Sequence, residues 1–193
     1  MNEVPDSLLA ADEPAPVTVH NANGRSLFLI VADHAGNSMP RALHRLGVPE
    51  TESKRHIAWD IGVAGLCRVV ADALDATLVQ QNYSRLVIDC NRTPGSETSI
   101  LESSELTPIP GNIGLSEGQK VARIGEIVRP YHDRFLRISS WRCGHEPCMD
   151  GARGVTISEA FGCSHVSRPM SAAVLRNALI KKRHPTLAGC RVA

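Results

Sequence analysis

This chain predicts an α/β domain built on a mixed sheet. Ser26–Ala32 is a continuous apolar run, the pattern of a strand covered on both faces. From about Ser53 to Leu74, apolar residues recur at three- and four-residue steps, the spacing of a helix with one buried stripe. Two short apolar stretches follow, Thr77–Gln80 and Leu86–Ile88, and a second helical pattern runs from Leu115 to about Ile138. The order strand, helix, helix, strand, strand, loop, helix is that of an α/β domain with helices flanking a sheet.

Residues 1–24 are rich in Asp, Glu, Pro and Ala and predict a mobile leader, with the domain itself over 25–138. Pro40 opens a short helix, Arg41–Leu46, which Gly47 stops. The stripe of the next helix is expected to be Ile61, Ala64, Gly65, Val69 and Ala73, with Gly62 and Gly65 placing a break near Asp60–Gly62. Thr93–Gly114, punctuated by prolines and glycines, predicts a long loop that is either rigid or a lid. Ser116 is the expected N-cap of the second helix, whose apolar face would be Val121, Ile124, Ile127 and Val128 despite Pro130. Beyond Ile138 the pattern degrades, so 139–193 is a separate, divergent segment. Val155–Ile157 reads there as a strand and Ala172–Ile180 as a helix.

At 193 residues the chain fits one domain. A net charge of +1 gives no electrostatic footprint for nucleic acid. The sequence has no apolar run long enough to span a membrane and no secretory start. Cys67 and Cys90 sit inside apolar patterns and read as small core residues. Without an export signal, the expected compartment is the cytoplasm. Cys143, His145 and Cys148 match no paired zinc-ligand spacing. Ser38, Ser84 and Ser158 lack a G-x-S-x-G elbow, which argues against serine hydrolysis, and a G-x-G-x-x-G loop and a Walker loop are absent, which argues against nucleotide cofactors.

Chemistry concentrates where the apolar stretches end. His34 follows the first strand within Asp33-His34-Ala35-Gly36-Asn37. It reads either as a metal ligand or general base, or as a turn histidine bonded to a backbone carbonyl. Asp60 is a second candidate ligand. His56, four residues before it, would share its face on a helix. A catalytic zinc takes about three protein ligands and keeps one position open, so His34 and Asp60 leave a third to be found. Leu86–Ile88 runs into Asp89, Asn91 and Arg92, with Arg85 just before it. Arg92 can grip a carboxylate through two parallel hydrogen bonds, and Asn91 and Arg85 can assist. The alternative is structural, with Arg92 bridging Asp89 or Asp33 to lock a loop.

These blocks together resemble the N-formylglutamate amidohydrolase family from about Leu27 to Asp133. The resemblance rests on Asp33-His34-Ala35-Gly36-Asn37-Ser38-Met39-Pro40, His56-Ile57-Ala58-Trp59-Asp60-Ile61-Gly62 and Tyr83-Ser84-Arg85-Leu86-Val87-Ile88-Asp89-Cys90-Asn91-Arg92. Thr107-Pro108-Ile109-Pro110-Gly111-Asn112 and Pro130-Tyr131-His132 add to it. It implies a three-layer fold like that of the zinc carboxypeptidases and aspartoacylases. It also implies zinc-dependent hydrolysis of a small N-acyl amino acid, typically N-formyl-L-glutamate to formate and glutamate. His34 would then be a metal ligand and Asp60 a second ligand or its supporting partner, while Asn91 and Arg92 would hold the substrate α-carboxylate.

The family pattern continues into a His-Ser-Phe-Thr-Pro-like strand end that supplies a further metal histidine, and later a catalytic carboxylate. Neither block follows Asp133: His145 and His165 lack that context, and Ser167-Arg168-Pro169 leads into Met170-Ser171. The expectation is therefore a fold incomplete at its C-terminus, with the reading frame changed after about Arg137. Activity is doubtful on that view, and the alternative is a non-catalytic remnant or a carboxylate-binding module. Apolar residues left uncovered on the Leu115–Ile138 helix would favour a homo-oligomer.

Overall fold

The computed structural model describes residues 7–143 and 154–156. Its strands are β1 (Val17–His20), β2 (Leu29–Ala32), β3 (Thr77–Gln81), the two-residue pair β4 (Ser103–Ser104) and β5 (Thr107–Pro108), and β6 (Gly154–Thr156). Its helices are α1 (Glu50–Ser53), α2 (Val63–Leu74), α3 (Glu117–Arg123) and α4 (Arg129–Cys143). The main sheet has the order β1-β3-β2-β6, with β2 parallel to both neighbours and β1 antiparallel to β3. The α/β class and mixed sheet are as predicted. All four residues of β2 are buried, whereas Leu27 is 93% exposed, so the strand begins later than the apolar run.

Helices cover both faces of this sheet. On one side Ile30, Ala32 and Leu78 pack against Val63, Cys67, Val70 and Ala71 of α2. On the other, Leu29, Val31 and Val79 share a core with Ile127, Val128 and Tyr131. The inner face of α2 thus follows the steps 63, 67, 70 and 71. The predicted stripe lies one residue out of phase, and its members Ile61 and Val69 are 64% and 66% exposed. That happens because the helix starts only after the break at Asp60–Gly62. Gly62 is the N-cap at φ 86°, a conformation glycine adopts without strain.

Three further expectations change. From Ser7 the expected mobile leader is part of the fold. β1 pairs with β3, Leu8 is buried, and the Glu126 carboxylate accepts from the Leu8 and Leu9 amides at 2.7 and 2.9 Å. Leu86–Ile88 is a buried turn and not a strand. The flanking Arg85 and Asp89 amides donate to Ala58 and Ser99, in two separate segments, while the Val87 amide turns back to Ser84. A short apolar run signals burial, and burial alone does not choose between strand and turn. The segment Arg41–Gly47 is a 3-10 turn with His44, Arg45 and Leu46 all at positive φ, so its helical reading holds only for its first turn.

Ser116 caps α3 through a reciprocal box with Gln119, as its position predicts. A wide π turn at Ile124–Val128 then joins α3 to α4, with the Arg129 amide donating to Ile124. Within that face Ile127 and Val128 are buried while Val121 is 56% exposed. β6 covers most of the strand expected at Val155–Ile157. The helix expected at Ala172–Ile180, and His145, Cys148 and His165, lie outside the described residues.

Candidate functional site

Parallel β2 and β3 end on the same side of the sheet, and the loops leaving them build the site. Gly36, two residues beyond His34, lies so close to β3's continuation that a Cβ there would meet the Asn82 carbonyl oxygen at 2.0 Å. The small residue therefore serves an approach to the chain's own backbone, which fixes the His34 loop against Asn82. The Asp60 amide donates to the His34 carbonyl at 2.9 Å, and Arg85 donates to Ala58 at 3.0 Å. Three loops distant in sequence are thereby pinned together.

Their side chains form a buried charged cluster. His34 Nε2 lies 2.7 Å from Asp89 Oδ1, and Nδ1 lies 3.5 Å from Asp60 Oδ2. Arg85 closes the ring, with Nη2 3.3 Å from Asp89 Oδ2 and Nη1 3.7 Å from Asp60 Oδ1. His34, Asp60 and Asp89 are 2%, 6% and 4% exposed. Burial by itself would push the His34 imidazolium down, but hydrogen bonding to Asp60 and Asp89 outweighs it and raises the pKa to about 9. Burial would likewise raise Asp89, yet His34, Arg85 and the Asn91 amide hold its carboxyl below the usual range.

The structure brings His34, Asp60 and Arg85 together as one unit. Arg92 stands at its rim, its side chain 39% exposed and Nε 3.9 Å from Asp89 Oδ2. Asn91 donates its backbone amide to Asp89 Oδ1 at 2.9 Å. His56 does not join. The stretch 54–62 is not helical, and His56 Nε2 pairs at 2.6 Å with Glu105 in the exposed β4–β5 turn.

Sequence reasoning missed the direct His34–Asp89 pair and the clamps around it. Tyr131 Oη donates to buried Asp33 at 2.5 Å, while His132 Nε2 reaches the Cys90 carbonyl at 2.9 Å. Burial raises the pKa of Asp33, with the Tyr131 bond opposing it. Arg123, also buried, donates to Val87, Asn112 and Gly111 carbonyl oxygens. Its position was a usable signal, because 123, 127 and 131 repeat on one helical face.

Two donors on a tetrahedral zinc, each about 2.1 Å from the ion, stand about 3.4 Å apart. His34 Nδ1 and Asp60 Oδ2, at 3.5 Å, fit that separation. Asp89 faces the other ring nitrogen, so it does not complete a ligand set. Among the described residues no group of three His, Cys, Asp or Glu is arranged to hold a metal ion.

The sequence profile of N-formylglutamate amidohydrolases matches residues 26–145. The chain belongs to the N-formylglutamate amidohydrolase family. All three loops that build the cluster fall inside that match. A gene product from Agrobacterium tumefaciens, known by crystal structure, is 36% identical with a TM-score of 0.69; the alignment covers 70% of this chain and 54% of that one. The N-formylglutamate amidohydrolase from Ralstonia eutropha is 21% identical with a TM-score of 0.45, over 67% of this chain and 52% of that one. This family member spans about half the length of both solved structures. No curated protein matches it. Among its described residues no helix is long and apolar enough to cross a membrane.

Proposed function

We propose that the cluster around His34 is the metal- and substrate-binding half of a zinc-dependent hydrolase that cleaves the amide of a small N-acyl amino acid, N-formyl-L-glutamate first among them. The observation that carries this reading is the disposition of His34, with one ring nitrogen bonded to Asp89 and the other 3.5 Å from Asp60 at the end of β2. Family membership over the same residues supports it. A fold of the zinc-carboxypeptidase and aspartoacylase kind suits the reading, since helices cover both faces of a mixed sheet and the site sits at the ends of its parallel strands.

In this reading His34 and Asp60 hold the ion, and a third ligand is required from outside the described residues. Bound there, zinc supplies a Lewis acid for the acyl carbonyl and a water with its pKa lowered toward about 7. Arg92, at the rim, receives the substrate α-carboxylate with Asn91 beside it. Arg85 helps His34 hold the Asp89 carboxyl below the usual range and lies 3.7 Å from Asp60 Oδ1. The cytoplasm suits the chain, because Cys67 and Cys90 are free and buried thiols.

A second reading, a carboxylate-binding module without a metal, draws on one observation. His34 and Arg85 as cations and Asp60 and Asp89 as anions already balance in the metal-free cluster. Zinc-loaded protein incubated with N-formyl-L-glutamate separates the two. Formate release that His34→Ala abolishes supports the hydrolase, and glutamate binding without bound zinc supports the module.

A further inference from the structure

We propose a second small-molecule site, in the cavity between the 95–102 loop and residues 112–124, for an aliphatic ammonium compound. Glu97 and Glu102 would hold its cationic head, and Ile100, Leu115 and Ile124 would cover its hydrocarbon chain.

The cavity has a volume of about 530 Å³, an ordinary size for a small-molecule pocket. His34, Asp60, Arg85 and Arg92 do not line it. Its walls are preformed, because they are bonded to fixed parts of the fold. The carbonyl of Ser99, a residue 2% exposed, accepts the Asp89 amide at 2.8 Å. Asn112, 3% exposed, donates to the Leu86 and Leu101 carbonyls and accepts from Arg123.

The same bonds decide what the cavity offers a ligand. Ser99 Oγ donates to the Ser96 carbonyl at 2.7 Å, and both hydrogens of the Asn112 amide are engaged. Neither side chain has a hydrogen left for an anion. Lys120 is drawn to Glu117, which does not line the cavity, at 3.9 Å. Glu97 and Glu102 are exposed lining residues with no cation partner among the described residues. Two free carboxylates against one committed ammonium favour a positive head over a negative one. Exposed glutamates alone hold an ion weakly, and the apolar wall is what makes them a site. Ile100 and Ile124 are partly buried at the margin of the main core, with Leu115 beside them on the wall. Each methylene buried there strengthens binding about fourfold.

The test is titration of the nitrogen-15-labelled full chain with n-butylammonium, butyrate and butanol, followed by NMR at the amides of Ser96, Ser99, Ile100, Leu115 and Lys120. We expect saturable shifts at these amides with n-butylammonium, weaker binding of butanol and none of butyrate. Ethylammonium, shorter by two methylenes, should bind about 15-fold less tightly. Joint Glu97→Gln and Glu102→Gln substitution, at exposed positions that the fold tolerates, should weaken n-butylammonium about 5-fold. No saturable shift at these amides in wild type overturns the assignment and needs no variant to fold. So does equal binding of butanol or butyrate, an affinity indifferent to chain length, or a double variant that binds as wild type does. No metal takes part, so the outcome is independent of the hydrolase reading.

Discussion

Replacing Arg123 with methionine should destabilise the chain by about 2–4 kcal/mol, and the number follows from two opposing terms. The guanidinium is 1% exposed, and among the described residues no carboxylate pairs with it. Burial pulls its pKa from 12.5 down to about 10, which puts the electrostatic cost of holding the charge inside at about 3 kcal/mol. Against this stand hydrogen bonds to Asn112 Oδ1 at 2.7 Å, Val87 O at 2.9 Å and Gly111 O at 3.2 Å. Bonds from a charged donor contribute about 1.5–3 kcal/mol each, so together they exceed the desolvation cost. Methionine fills much of the space but answers none of the acceptors. Asn112 in turn donates to Leu86 and Leu101 carbonyls, so the loss spreads to the turn that carries Asp89. Urea unfolding at neutral pH should show a lower midpoint with an unchanged slope. A variant within about 0.5 kcal/mol of wild type would refute the reasoning, and a more stable one would show that desolvation wins.

Glu126→Gln should free the N-terminal arm, because the carboxylate accepts from Ser7, Leu8 and Leu9; hydrogen exchange at Leu8 and Leu9 should accelerate. Burial would raise the Glu126 pKa, but these bonds hold it below 4.5. Its contribution is therefore complete above 4.5 and is lost as pH falls through the lower folded value, which acid titration of arm protection in wild type checks. Gly36→Ala places a methyl group 2.0 Å from the Asn82 carbonyl and should cost about 3 kcal/mol or prevent folding, read by soluble yield and thermal melting. Tyr131→Phe leaves buried Asp33 without its hydroxyl donor and should cost about 1–3 kcal/mol by the same melt.

What the sequence made legible was whatever depends on local pattern. β2, β3, the helix break at Asp60–Gly62 and the Ser116 cap all follow from apolar spacing, glycine and capping chemistry. The phase of α2 was not legible, because Ile61 and Val69 are as apolar as Val63 and Val70 and periodicity accepts either stripe. Nor was the nature of Leu86–Ile88: its backbone partners lie in Ala58, Ser84 and Ser99, and no window of sequence contains all of them. The site divides in the same way. His34 and Arg92 stood out by their place beyond an apolar run, Arg85 by its place just before one, and Asp60 by its four-residue spacing from His56. That His34 belongs to Asp89, 55 residues on, is a fact of tertiary geometry.

The wide turn at Ile124–Val128 links that geometry to the helix layer. One extra residue in the turn, marked by the Arg129 amide reaching Ile124, shifts the register of everything after it. Two adjacent residues of α4 then touch two different site loops: Tyr131 binds Asp33 beside His34, and His132 binds the Cys90 carbonyl beside Asp89. A regular helix turns about 100° between neighbours, so adjacent residues meet separate loops only where those loops converge on the helix. They converge here because His34 and Asp89 are bonded to each other across the gap. The helix, the two loops and the His34–Asp89 pair therefore form one closed circuit, in which weakening any contact loosens the others. The Tyr131→Phe variant reports on that circuit directly: it should broaden the His34 ring signals as well as lower the melting point. A lower melting point with unchanged ring signals would show that α4 supports the fold and not the site.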